Sequence, residues 1–111
     1  MGAEKRAPHW TFLTNHTHVL LCIARNPDIR TRDIADAVGI TDRAAQRIVA
    51  DLEAGGYLSH DKVGRRNVYR VHADRPLRHP VERDHRIGEL VDSLVGEARA
   101  GTEQARTTRL S

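Results

Sequence analysis

The feature that most constrains the fold of this chain is a run of about twenty residues whose pattern predicts two short helices joined by a tight turn. Thr31 is expected to cap the first helix, residues 32–38, and Gly39 to end it, because glycine tolerates a left-handed backbone. Thr41 is expected to cap the second helix, residues 42–54. Since the turn is so short, the two helices must cross closely and share a buried face.

A close crossing needs a small side chain on the first helix, a sharp turn after it, and apolar side chains in the angle between the helices. Ala35 is the small residue, and Gly39 stands four positions later, where the chain must turn. The apolar residues available to fill the angle are Ile34, Val38, Ile40, Ala45, Ile48, Val49 and Leu52. Spacing, caps and apolar pattern therefore agree on a helix-turn-helix.

Further elements are predicted on both sides of this motif. Before it, Thr14 or Asn15 is expected to cap a helix that runs to about Arg25. After it the pattern becomes extended, and residues 57–63 and 67–71 are expected to form two strands. Their connection, Gly64-Arg65-Arg66, makes a hairpin with a basic tip. The order of elements is that of a winged helix-turn-helix, so the predicted fold is mainly α with a small β-hairpin.

The residues that carry a family resemblance lie in four runs: TRDIADAVGI at 31–40, TDRAAQRIVADLE at 41–53, GGYL at 55–58 and KVGRRNVY at 62–69. Through them the chain resembles winged helix-turn-helix transcriptional regulators of the MarR and ArsR kind over residues 14–71. The resemblance implies double-stranded DNA binding as a homodimer, with the recognition helix 42–54 in the major groove and the wing 63–67 at the minor groove. Two features depart from the MarR pattern: the wing is short, and one helix follows it instead of a long pair.

The predicted recognition helix turns polar side chains outward near its N-terminus. Arginine suits the O6/N7 edge of guanine, and glutamine suits the N6/N7 edge of adenine. The residues expected to read bases are Arg43, Gln46 and Arg47, with Ala44 placed to meet a thymine methyl group. The alternative for both arginines is contact with phosphates alone.

Phosphate contacts are expected around this helix and on the wing. Helix N-termini favour anions, which points to Thr31, Arg32 and Thr41. The basic wing residues are Lys62, Arg65 and Arg66, and the two arginines suit a narrow minor groove. The charge distribution agrees, since residues 1–80 hold 13 Lys/Arg against 9 Asp/Glu while residues 81–111 hold 5 against 6. A plain helix cap at Thr31 and a merely solvated basic hairpin are the alternatives.

A last helix over residues 81–100 is expected to form the dimer, after a linker at 73–80. Its apolar stripe comprises Ile87, Leu90, Val91, Leu94, Val95 and Ala98. The predicted winged core already holds Leu20, Ile34, Val49, Leu52 and Leu58, so the stripe is assigned to a two-fold interface with a second copy. The alternative is that the helix folds back on its own domain. Trp10, Phe12 and Leu13 are further candidates for the interface.

The expected organisation is an N-terminal extension (1–13), a DNA-binding domain (14–72), the linker, the dimerisation helix, and a flexible tail (101–111). Since 4% of the residues are aromatic, the core must consist mainly of Leu, Ile, Val and Ala. No apolar run approaches the roughly 18 residues that cross a bilayer, which predicts a soluble cytoplasmic protein.

Enzymatic chemistry is not expected, because the sequence shows no phosphate-binding glycine loop, no HExxH motif and no nucleophile with an evident base. No cofactor or metal is expected either. His18 and Cys22 are spaced i, i+4, but a thiol beside a surface or capping histidine is favoured over a metal site. A small-molecule effector is left open. The alternative to a DNA-binding regulator is a winged-helix module that binds protein or RNA.

Overall fold

The computed structural model describes residues 10–103, with side chains described up to residue 96. It contains four helices and one two-stranded antiparallel sheet in this part of the chain, which confirms the predicted winged helix-turn-helix. The elements in chain order are α1 (Asn15–Arg25), α2 (Thr31–Val38), α3 (Asp42–Ala54), β1 (Leu58–Val63), β2 (Arg66–Val71) and α4 (Ile87–Glu103). The predictions for residues 1–9 and 104–111 lie outside the described residues.

Helix α1 is the central element, since it packs against α2, α3, α4 and β2. It begins after Thr14, whose side chain accepts a hydrogen bond from the Thr17 N–H, and it ends at Arg25, directly before the C-cap residue Asn26, as the sequence predicts. Three of its side chains, Val19, Leu20 and Ile23, are buried. These residues share one apolar face of α1, and the other three helices pack against α1.

The turn between α2 and α3 depends on a left-handed backbone at Gly39, where φ is 86°. The N–H groups of Gly39 and Ile40 both bond to the Ala35 carbonyl, at 2.8 and 3.0 Å. The predicted cap at Thr31 is wrong, because Thr31 is the first helical residue and Arg30 is the N-cap. The Arg30 carbonyl accepts the Ile34 N–H, so backbone bonding starts the helix one residue earlier without a side-chain cap.

The hairpin has a tighter turn than predicted. Register runs from Leu58 opposite Val71 to Val63 opposite Arg66, which leaves only Gly64 and Arg65 in the turn. Gly64 has a φ of 65°, and two-residue hairpin turns require this left-handed conformation. Arg66 is therefore a residue of β2 and not of the tip.

Helix α4 begins at Ile87, so the predicted start near residue 81 is wrong. Residues before it form turns, and Pro76 pairs with Arg86 in an isolated antiparallel bridge. The Leu77 N–H bonds to the His85 carbonyl, and the Ile87 N–H bonds to the Arg75 carbonyl. Because these backbone groups pair with one another across the connection, they do not form the hydrogen bonds of a helix. The connection therefore extends from residue 72 to residue 86.

One core joins all the elements. Its buried side chains are Val19, Leu20, Ile23, Ile34, Ala35, Ala45, Ile48, Val49, Leu52, Tyr57, Leu58, Tyr69, Ile87, Val91 and Val95. The expectation that the α4 stripe has no place on this core is wrong, since three of its members are buried within the chain itself and α4 packs against α1. Leu90 is half-buried and Leu94 is 43% exposed, while the side chain of Ala98 lies outside the described residues.

Candidate nucleic-acid interface

Helix α3 presents one apolar and one polar face because its residues alternate with the helical period. The Thr41 Oγ1 accepts the Ala44 N–H at 3.0 Å and caps the helix, as predicted. The inner face is buried and comprises Ala45, Ile48, Val49 and Leu52. The outer face therefore turns toward solvent, with Arg43, Gln46 and Arg47 exposed and Ala44 half-buried.

The outer face of α3 offers hydrogen-bond donors that the fold itself leaves available. Within the described residues, no side chain forms a hydrogen bond or ion pair with Arg43 or Arg47. Gln46 Nε2 donates to Asp42 Oδ2 at 3.4 Å, one helical turn back. Thr41, Arg43, Ala44 and Arg47 line a shared recess of about 510 Å³. Three of the four predicted base-reading residues thus line one recess, and Gln46 is exposed on the same helix but does not line it.

A second recess separates the wing from the loop between α1 and α2. It has a volume of about 240 Å³, and its lining includes Arg30 and Thr31 on one side and Arg65, Arg66 and Asn67 on the other. Arg30 is exposed and is the N-cap residue of α2, and it is not one of the predicted phosphate contacts. Its position directly before the N-terminus of α2 is the signal that would have found it.

The remaining residues predicted to contact phosphates differ in exposure and in their contacts within the chain. Arg32, Lys62 and Arg65 are exposed, and Thr31 is half-buried. Arg66 instead turns back on the chain, where its Nη2 donates to the Asp28 carbonyl at 2.7 Å and lies 3.7 Å from the Asp28 carboxylate. The structure therefore separates the two wing arginines that the sequence groups together.

The histidines in the described residues each have a local partner. Carboxylates partner three of them, in the pairs His16–Asp51 at 2.9 Å, His60–Glu53 at 2.5 Å and His85–Glu89 at 2.6 Å. His18 contacts Asn15, His72 contacts Ser59, and His79 Nδ1 accepts the Val81 N–H. No group of three or more His, Cys, Asp or Glu side chains is arranged to hold a metal ion in the part of the chain that is described.

Cys22 is half-buried on α1. Burial raises the pKa of its thiol, and the nearby charge of Arg25 opposes that rise. A raised pKa lowers the thiolate fraction, which is the reactive form. Cys22 packs against the hydrophobic core and lines neither the recess of α3 nor the recess beside the wing.

None of the helices within residues 10–103 has the length and apolar character that spanning a membrane requires.

The arrangement of α2 and α3, with an exposed basic and amide face on α3 and a β-wing beside them, defines a winged helix-turn-helix protein. The MarR family model matches residues 11–66, half of the chain, from before α1 to the first residue of β2. The chain therefore belongs to the MarR family, whose members are DNA-binding regulators of transcription and not enzymes. Neither the curated proteins nor the solved structures contain a significant match to the chain.

Proposed function

We propose that this protein is a sequence-specific regulator that binds double-stranded DNA as a homodimer, with α3 in the major groove and the wing at the adjacent minor groove. The observation that carries the proposal is the outer face of α3, where Arg43 and Arg47 stand exposed one turn apart and Gln46 is also exposed. Both arginines can offer a bidentate fork to guanine, because neither is engaged by another described side chain. Repression is the simplest mode, since a dimer that occupies its operator blocks other proteins there.

Phosphate contacts would surround this reading surface. Arg30, Thr31 and Arg32 lie at the start of α2, where backbone N–H groups and the helix dipole favour an anion. Thr41 opens α3, and its hydroxyl already serves the Ala44 N–H, so its contribution would come from the helix terminus around it. Lys62 and Arg65 extend the basic surface along the wing. These groups position the protein on the duplex, whereas α3 supplies the sequence preference.

The homodimer would use the outer side of α4 and the turns before it. Val81 is 84% exposed, and Leu94 is 43% exposed. Leu77, Val81 and Leu90 line a common groove of about 330 Å³. Trp10 and Phe12 form an exposed edge-to-face pair that offers more apolar surface for association. A two-fold pair of such chains would read a palindrome whose half-sites are about one helical turn apart.

The test is a binding titration with duplexes selected from a random pool, repeated over a salt series. Protein that neutralises phosphates releases counterions, so the logarithm of the affinity should fall linearly with the logarithm of salt, with a slope of about −0.9 per phosphate contact. A slope near zero would contradict DNA binding. Tighter binding to RNA, or to an acidic protein, than to any selected duplex would favour the interaction-module alternative.

A further inference from the structure

The hairpin is weakly anchored along most of its length. Only Leu58 and Tyr69 among its residues are buried, and every residue of β1 from His60 to Val63 is exposed. An isolated two-stranded hairpin is marginally stable in water. The position of the wing tip must therefore depend on the few contacts that fasten β2 to the rest of the molecule.

Two of these contacts join β2 to the loop between α1 and α2. The Tyr69 N–H donates to the Pro27 carbonyl at 2.9 Å. The Arg66 Nη2 donates to the Asp28 carbonyl at 2.7 Å, and the Asp28 carboxylate lies 3.7 Å from the same nitrogen. The Arg66 contact is the one nearer the tip, because Arg66 directly follows the two-residue turn.

We propose that Arg66 is a positioning residue for DNA binding: it fastens the wing to the loop so that its neighbour Arg65 is held at the minor groove. The proposal rests on the proposed function, since it assigns different roles to two arginines of the same interface. Arg65 lies in the turn and is exposed, whereas the guanidinium of Arg66 is engaged with a carbonyl 38 residues earlier in the chain.

The contact between Arg66 and Asp28 also sets the distance between the wing and the helix-turn-helix. The loop that holds Arg66 leads within two residues to Arg30, the N-cap of α2. Arg30 and Arg65 line opposite sides of the same 240 Å³ recess. When Arg66 holds the loop, the wing and the helix-turn-helix keep one relative position. Both can then contact the duplex without the loss of affinity that ordering the wing on binding would cause.

The experiment is a double-mutant cycle on the full chain, measured with the selected duplex over a salt series. Arg65→Ala should weaken binding and reduce the magnitude of the salt slope by about 1, as expected for a lost phosphate contact. Arg66→Ala should weaken binding by about fivefold, because the wing must then be ordered when DNA binds. It should leave the slope nearly unchanged, because Arg65 still reaches its phosphate in the complex. In the Arg65→Ala background, Arg66→Ala should have little further effect, because the side chain that it positions is gone.

Arg70→Ala is the matched control for charge. Arg70 lies on the same strand and pairs with Asp61 at 3.2 Å, away from the loop contact. Its substitution removes the same formal charge from the wing, and it should weaken binding less than Arg66→Ala does. Equal weakening by both substitutions would overturn the proposal, as would additive effects of Arg65→Ala and Arg66→Ala.

A measurement without DNA separates this proposal from the proposed function. Hydrogen exchange of the Tyr69 amide should accelerate in Arg66→Ala and stay unchanged in Arg70→Ala, because only the first variant loosens β2 from the loop. Unchanged exchange in Arg66→Ala would overturn the fastening even if the protein binds DNA. Faster exchange in a protein that binds no duplex would instead support the fastening and contradict the proposed function.

Discussion

Thr14 and Thr41 stabilise the N-termini of α1 and α3 through side-chain caps. The Thr41 Oγ1 accepts the Ala44 N–H at 3.0 Å, whereas the Thr14 Oγ1 accepts the Thr17 N–H at 3.5 Å. Thr41→Ala should therefore lower the free energy of unfolding by about 1 kcal/mol. Thr14→Ala is the matched control and should cost less, because its bond is longer. Urea unfolding followed by circular dichroism measures both, and a larger loss for Thr14→Ala would contradict the assignment of the stronger cap.

The residues of the candidate site were predictable where local periodicity controls them. The outward positions of Arg43, Gln46 and Arg47 follow from the apolar positions of α3, and the structure places them so. The cap of α2 was not predictable in this way, because backbone bonding alone starts that helix at Arg30. The role of Arg66 depends on a contact with Asp28, far away in sequence, which no local pattern encodes.

Among the elements, the first turn of α4 packs closely against the connection that precedes it. A Cβ on Gly88 would lie 2.7 Å from the Ala73 Cβ and 2.8 Å from the Ala73 carbonyl oxygen. Gly88→Ala should therefore destabilise the protein by about 1–3 kcal/mol, the usual cost of overpacking.

Gly96→Ala on the same helix is the control for this clash. Nothing lies within 4 Å of a Cβ there. Alanine favours helix over glycine by about 0.5–1 kcal/mol, so Gly96→Ala should stabilise the protein or leave it unchanged. Thermal unfolding of both variants provides the comparison. Equal melting temperatures for the two would show that Gly88 is not packed closely against Ala73.

The start of α4 should also respond to pH through His85 and Glu89. The side-chain hydrogen bond to Glu89, and then its charge, raise the pKa of His85 above its ordinary value of 6.5. The hydrogen bond from His85, and then the one from the Arg86 backbone N–H, lower the pKa of Glu89 below its ordinary value of 4.5. The pair is therefore favoured in its doubly charged form.

The sign of the effect follows from linkage. The His85 contribution is complete below pH 6.5 and is lost as pH rises through the raised folded pKa. The Glu89 contribution is present above pH 4.5 and is lost as pH falls through the lowered folded pKa. The melting-temperature difference between the unmodified protein and His85→Gln should be largest between these limits. A difference that stays constant into the alkaline range would contradict the pairing.

The elements themselves could be predicted from sequence more fully than their packing. Caps, Gly39 and alternating apolar residues predict α1, α3 and the hairpin closely. The late start of α4 depends on the pairing of Pro76 with Arg86, which joins two segments through the backbone and leaves no periodic signal. The assignment of the α4 stripe to a two-fold interface was wrong for Ile87, Val91 and Val95, which are buried in the chain's own core. Periodicity shows that a face is buried but not what buries it.

At the scale of the whole molecule, α4 belongs to the core through Ile87, Val91 and Val95, so its removal would unfold the chain as well as any dimer. Substitution of Leu94, which is 43% exposed, is the cleaner test of association. If the proposed dimer forms through this side of α4, Leu94→Glu should convert it to a monomer in sedimentation equilibrium, because the substitution places a charge in an apolar contact.

Val63→Glu is the control for this substitution. Val63 is 60% exposed on the wing, away from α4, and its replacement should leave the proposed dimer intact. A Leu94→Glu protein that stays dimeric, or an unmodified protein that is monomeric at every concentration, would contradict the proposed interface.

The central claim is that the outer face of α3 reads base sequence, and its most direct test is the affinity of Arg47→Ala for a selected duplex and for a random one. Arg70→Ala, which replaces an exposed arginine that pairs with Asp61 on the hairpin, is the control for lost charge. A bidentate arginine–guanine contact discriminates by about 1–3 kcal/mol, so Arg47→Ala should reduce the preference for the selected duplex by roughly fivefold or more. Arg70→Ala should preserve that preference. Equal losses of affinity for both duplexes in Arg47→Ala would contradict base reading by Arg47.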